Sequence, residues 1–245
     1  MTILDEIIKY ATDSTRIDDP KTKRNESNYW NVSESEIHSL MDKIIYHETG
    51  GSNLTTQVQQ VNLYKQDDPS TPNIDESLEL VPGGQPGYGM GLFQYEKHYD
   101  DPKTPGYDQR GGQTAVTRLQ NIAKDKTLGI NLPQILDNTL DASGNFNKEY
   151  QRFVDSGFDF TLLNEEEQKA VFIADKLQHP DAGSNLGTAA GVDNVFSDDE
   201  IANYWADYHQ AGWQTLPKVE QTPYRDKKIK SFAVSLAEYI KSITP

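Results

Sequence analysis

The chain has 245 residues, 35% hydrophobic and 25% charged, which suits a folded domain and excludes a disordered polymer. A formal net charge of -15 sets the surface against nucleic acid and anionic membranes at long range, so neither is an expected partner. There is no cysteine, which removes disulfide frameworks and thiolate chemistry, and no apolar run approaches the length of a membrane span.

In chain order, Thr2 and Asp5 ahead of Ile7, Ile8 and Ala11 predict a short capped helix. This start lacks the basic residues and apolar run of a signal peptide, so delivery by other machinery is expected. Residues 12–30 are polar and read as a connecting arm, which makes 1–30 an N-terminal helix plus arm and 31–245 the main domain. Ser33-Glu34-Ser35-Glu36 reads as a capping box for a helix with Ile37, Leu40, Met41, Ile44 and Ile45 at helical spacing. Gly50-Gly51 offers a left-handed stop.

Residues 52–88 form a long polar excursion with Pro69, Pro72, Pro82 and Pro86, within which 57–64 alternates like a strand of a small hairpin. Gly87-Tyr88-Gly89-Met90-Gly91-Leu92-Phe93-Gln94 follows, then a helical pattern over 113–124. Beyond it, Asn164 to Glu167 caps a helix carrying Ala170, Val171, Ile173, Ala174 and Leu177. Ser197 and Glu200 cap another, with Ile201, Tyr204, Trp205 and Tyr208 on one face and Gly212 as its stop. A last helix is predicted from about 225 to 243. The fold class is α+β, mainly helical, with a small β element.

Glu48 lies four residues after Ile44 and eleven after Ile37, which keeps it on the apolar stripe of its helix. A carboxyl there is poorly solvated and meets the negative end of the helix dipole, and both effects favour its protonated form. Glycosidic cleavage needs such an acid, because the leaving oxygen must receive a proton. On spacing alone, a surface glutamate that merely ends a helix beside Gly50 and Gly51 is the better reading. A second feature shifts the balance: Gly89-Met90-Gly91-Leu92-Phe93-Gln94 places small residues where a backbone can approach a ligand closely, then a polar amide.

Together, His47-Glu48-Thr49-Gly50-Gly51 and the later Gly-x-Gly-Leu-Phe-Gln resemble the paired motifs of lytic transglycosylases and goose-type lysozymes. In that family a helix ends in Glu-Ser-Gly or a close variant, and a later Gly-Leu-Phe-Gln strand lines the sugar cleft. Tyr208-His209-Gln210-Ala211-Gly212 resembles the family's Tyr-Asn-Ala-Gly segment, with one extra residue and His209 where Asn is usual. An aromatic stripe of Tyr204, Trp205 and Tyr208 packing a helix onto the core serves the same residues.

The resemblance covers short segments in order along residues 33–212, and the separation of the two main motifs implies a lysozyme-like fold with an enlarged loop at 52–88. It implies Glu48 as the catalytic acid, and Gly91, Phe93, Gln94, Tyr88 and Tyr208 as substrate-binding residues. Gln94 is expected to bond substrate or orient Glu48, the backbone at Gly91 and Phe93 to line the sugar site, and Tyr88, Phe93 and Tyr95 to offer platforms for sugar faces. Each ring serves equally well as a buried anchor.

The implied partner is the peptidoglycan glycan strand, cleaved between N-acetylmuramic acid and N-acetylglucosamine at the cell wall, with virion proteins as further partners. A phage particle or a holin pore would deliver the enzyme. A transglycosylase of this family closes a 1,6-anhydro ring and needs no second carboxylate. A hydrolytic muramidase needs one, for which loop residues Asp67, Asp68 and Asp75 are candidates. A non-catalytic glycan-binding or virion structural protein is the remaining reading. His38, His47, His98, His179 and His209 show no metal-ligand spacing, so no metal or cofactor is expected, and His47 reads as structural or exposed.

Overall fold

A computed structural model describes residues 2–13, 30–56, 58–60, 86–96, 99–100, 108–109, 111–124, 148–178, 195–209 and 217–244. Helices dominate: α1 (Ile3–Thr12), α2 (Glu34–Thr49), α3 (Gly111–Lys124), α4 (Lys148–Asp155), α5 (Glu165–Gln178), α6 (Asp198–Tyr204) and α7 (Lys218–Ile243). A 3-10 turn, Phe160–Leu162, precedes α5, and a π-helical turn, Trp205–His209, follows α6 directly.

The caps act as the side chains dictate. Thr2 with Asp5 and Ser197 with Glu200 form reciprocal boxes, and Asn164 with Glu167 does the same for α5. On α2 only half of the expected box is present, with the Ser33 hydroxyl accepting from the Glu36 N–H. Such a cap is worth roughly 1 kcal/mol. Helix α7 begins earlier than the sequence predicts and runs through Pro223. A proline there removes one backbone bond, and the exposed first turns around Val219 leave the freed carbonyl open to water.

Short strands β1 (Val58–Gln60), β2 (Pro86–Met90) and β3 (Tyr95–Glu96) make an antiparallel sheet in the order β1-β2-β3. Val58 pairs with Met90 but Gln60 with Pro86, so a bulge interrupts that ladder. Strands β4 (Tyr99–Asp100) and β5 (Asp108–Gln109) form a separate pair. The β1 segment lies where alternation predicts a strand. The rest of the 52–88 excursion beyond residue 60 and before 86 lies outside the described residues, as do Asp67, Asp68, Asp75, His98, His179 and Gly212.

One core serves the helices and the sheet. It includes Ile7 and Ile8 of α1, Ile37, Leu40, Met41 and Ile44 of α2, Leu92 and Phe93 after β2, Phe172 and Ile173 of α5, and Phe232 of α7. Helix α1 packs on α5, so it belongs to the main core rather than to a detached arm. Trp30 is fully buried, its backbone N–H bonded to the carbonyl of Ala11 at 2.9 Å and its ring edge-on to Phe196. Among the described residues no helix is long and apolar enough to cross a membrane.

Candidate active site

Glu48 is the penultimate residue of α2 and half-buried. The helix stops as its glycines allow. Gly50 adopts φ 58° and donates its N–H to the Tyr46 carbonyl. Gly51 sits at φ 81°, where a Cβ would come within 2.9 Å of the Tyr46 ring. Thr49 closes the next turn: its hydroxyl donates to the Ile45 carbonyl at 2.7 Å and accepts from the Asn53 N–H at 3.0 Å. The carboxylate is therefore presented from a helix end that is fixed on both sides.

Across from it, the indole Nε1–H of Trp205 donates to Glu48 Oε1 at 2.6 Å. Trp205 is 1% exposed, and its ring lies between Phe172 and Phe232, with centroids at 6.4 and 6.3 Å. An indole only donates, so Oε1 is the accepting oxygen. The donor is the first residue of the π-helical turn, a geometry that recurs at functional positions. Tyr208, the aromatic singled out in the sequence, lies in the same turn, half-buried, with its ring 5.4 Å from that of Tyr204. Trp205, three residues earlier, is an aromatic that meets Glu48 directly.

The Gly91-Leu92-Phe93-Gln94 segment is the turn joining β2 to β3, with Gly89 opposite Glu96 and Met90 opposite Tyr95. It is not itself extended: Gly91 has φ 75° and Gln94 φ 50°, both left-handed. Gln94 is buried, and its Nε2 donates to the Gly91 carbonyl at 2.5 Å, so its amide closes its own turn. That use differs from the expected bond to substrate or to Glu48. The Phe93 ring is fully buried and stacks on Phe172, centroids 4.2 Å apart and planes at 6°. Tyr95 is buried too, its hydroxyl donating to Asp175 at 3.0 Å. These two rings are core anchors, not sugar platforms, because interior aromatic neighbours already cover their faces. Tyr88 stands in β2, but its side chain lies outside the described residues.

Two side chains of α5 that the sequence reading passed over hold this arrangement. Gln168, fully buried, accepts the Leu92 N–H on Oε1 at 2.7 Å and donates Nε2 to the carbonyls of Thr55 and Leu163. One amide thus ties the chain just after Glu48 to the turn of the second motif. Gly91 is required beside it, since a Cβ there would collide with Gln168 Oε1 and come within 3.1 Å of Phe160. A second link is aromatic, running from Phe93 to Phe172 to Trp205 and so to Glu48. The sequence signal for Gln168 was available: a polar residue one turn before Phe172, on the face that α5 turns to the core.

Below the ladder lies a buried charged group. Asp175 pairs with Arg118 and, at 2.9 Å, with Lys176 Nζ. Burial alone would raise the Asp175 pKa, but these two cations and the Tyr95 hydroxyl hold it below its ordinary value. The Lys176 ammonium also lies 5.9 Å from the Trp205 ring centroid and 5.6 Å from that of Phe172. His47, next to Glu48, points elsewhere: Nδ1 is 2.9 Å from the Ser235 hydroxyl, and the ring packs on Phe232. Its pKa is lowered to about 4, by burial first and by the charge of Lys228 second, so it stays neutral and structural.

Comparison with protein-family models, with curated proteins and with solved structures finds no match.

Proposed function

We propose that the chain cleaves the β-1,4 bond between N-acetylmuramic acid and N-acetylglucosamine in peptidoglycan, as a lytic transglycosylase on a lysozyme-like fold with Glu48 as general acid and base. The observation that carries this reading is the Glu48 carboxyl at a helix end, half-buried, with Oε1 taken by the Trp205 indole at 2.6 Å. In this reading Oε2 is the oxygen that handles the proton. Supporting it, Gln168 ties the chain following Glu48 to the Gly91–Gln94 turn, which the motif resemblance assigns to the sugar site.

In this mechanism Oε2–H protonates the leaving glycosidic oxygen, and the substrate's own N-acetyl oxygen attacks C1 as that bond breaks. The resulting Glu48 carboxylate takes the proton of the muramic 6-hydroxyl while its oxygen displaces the N-acetyl oxygen at C1. The product carries a 1,6-anhydro ring, and Glu48 ends protonated as it began. Gly91 and Phe93 contribute backbone to the sugar site, with Gln94 holding their turn closed. Tyr88 and Tyr208 remain the proposed aromatic contacts. The glycan strand is the partner, reached from a phage particle or through a holin pore.

The test is digestion of isolated peptidoglycan, with soluble products read by mass spectrometry. Anhydro ends, lighter by one water than reducing ends, are expected. Reducing ends would make the enzyme a hydrolytic muramidase, and no release with retained glycan binding would make it a non-catalytic binding protein.

A further inference from the structure

Trp205 holds Glu48 from a π-helical turn, and such a turn departs from the regular helical hydrogen-bond ladder, so something must fix its geometry. Arg225 of α7 meets the same turn. Its Nε donates to Asp207 Oδ1 at 2.6 Å, and its Nη2 donates to Asp207 Oδ2 and to Asn203 Oδ1, each at 2.8 Å. Asn203 in turn donates Nδ2 to the Asp199 carbonyl at 2.7 Å, within α6. Arg225 and Asp207 are each only about a quarter exposed, at 28% and 27%.

Asn203 and Asp207 are four residues apart and bracket Trp205. Both side chains reach the one guanidinium, so both face it across the turn. A guanidinium bonded to both therefore fixes the rotation of the segment about its axis, and with it where the indole N–H lands. Its planar fork suits this role, because it meets both carboxylate oxygens and a third acceptor at once.

We propose that Arg225, acting through Asp207 and Asn203, is a positioning residue that sets the Trp205 indole on Glu48 Oε1. This deepens the assignment of Glu48 as the acid and rests on it for its functional meaning. The geometric claim stands on the clamp alone. Arg225 touches neither substrate nor Glu48 in this role; its effect passes through the turn.

The experiment reads the Trp205 indole N–H resonance in ¹⁵N-labelled full-length protein, assigned by its loss in Trp205→Phe. In wild type that resonance should move with pH as Glu48 titrates, and the movement should vanish in Glu48→Gln. In Arg225→Ala the pH-dependent movement should fall by at least half, and solvent exchange of the indole proton should rise about tenfold. Arg225→Lys, which keeps the charge but loses the fork, should fall between the two. On peptidoglycan, kcat should drop about tenfold with KM little changed.

If Arg225→Ala fails to fold, Asp207→Asn must show the same weakened response. An indole signal that titrates and exchanges as in wild type in the folded variants overturns the proposal. So does a wild-type signal that ignores Glu48. A wild-type protein with the expected resonance behaviour but no cleavage of any wall would sink the enzyme reading while leaving the clamp in place.

Discussion

The turn at Gly91–Gln94 and the end of α2 solve opposite problems. In the turn the polar groups are consumed internally: Gln94 closes on Gly91, and Gln168 takes the Leu92 N–H. Its rings are buried, and its two left-handed residues leave little freedom. At the end of α2 a half-buried carboxyl is met by a donor 157 positions away in the chain, through a 2.6 Å bond. The first region is over-determined and acts as scaffold. The second is joined across the fold by a bond between residues far apart in the chain. Substitutions in the turn should therefore be read in stability, and substitutions around Glu48 in activity.

The sharpest break of this contrast is Glu48→Gln, which should lower peptidoglycan cleavage about 1,000-fold while leaving unfolding by urea near wild type. In the scaffold, Gln168→Leu should cost about 3 kcal/mol, because one buried and two part-buried backbone groups lose their partner at once. Gly91→Ala should cost a similar amount, about 2–3 kcal/mol, from strain at φ 75° and the collision with the Gln168 amide. The pair should be less than additive in urea unfolding, since removing the amide relieves the clash. Trp205→Phe keeps an aromatic ring but deletes the donor, and should lower kcat about tenfold with a smaller change in stability.

The smallest effect concerns His47. Its pKa is lowered to about 4 in the folded chain from an ordinary 6.5, so the unfolded chain binds a proton that the native one refuses. This contribution is fully present above pH 6.5 and is lost as pH falls towards 4. Within that window wild type should lose about 1 kcal/mol per pH unit more than His47→Gln, measured by urea unfolding. Equal slopes would show that His47 is not held neutral.

Much of the helical framework was legible because caps and stripes are local chemistry. Thr2, Ser33, Asn164 and Ser197 all start helices, and Gly50 ends one. Helix α4 and the Phe160–Leu162 turn were not anticipated, since both are short, eight and three residues. At the candidate site, the position of Glu48 on its helix was readable from spacing. Its partner was not, because Trp205 reaches it across the fold, and a π turn shifts side-chain directions away from the regular helical pattern. Phe93 and Tyr95 misled for a related reason: an aromatic next to a motif looks the same in sequence whether its face meets sugar or Phe172.

The most direct test of the central claim compares wild type with Glu48→Gln on isolated peptidoglycan, scoring released muropeptides and sedimentation with the insoluble wall. The account predicts muropeptides with anhydro ends from wild type and almost none from the variant, with both proteins sedimenting equally. Equal release from both proteins, or no release from wild type on several wall types from acid to neutral pH, would contradict it.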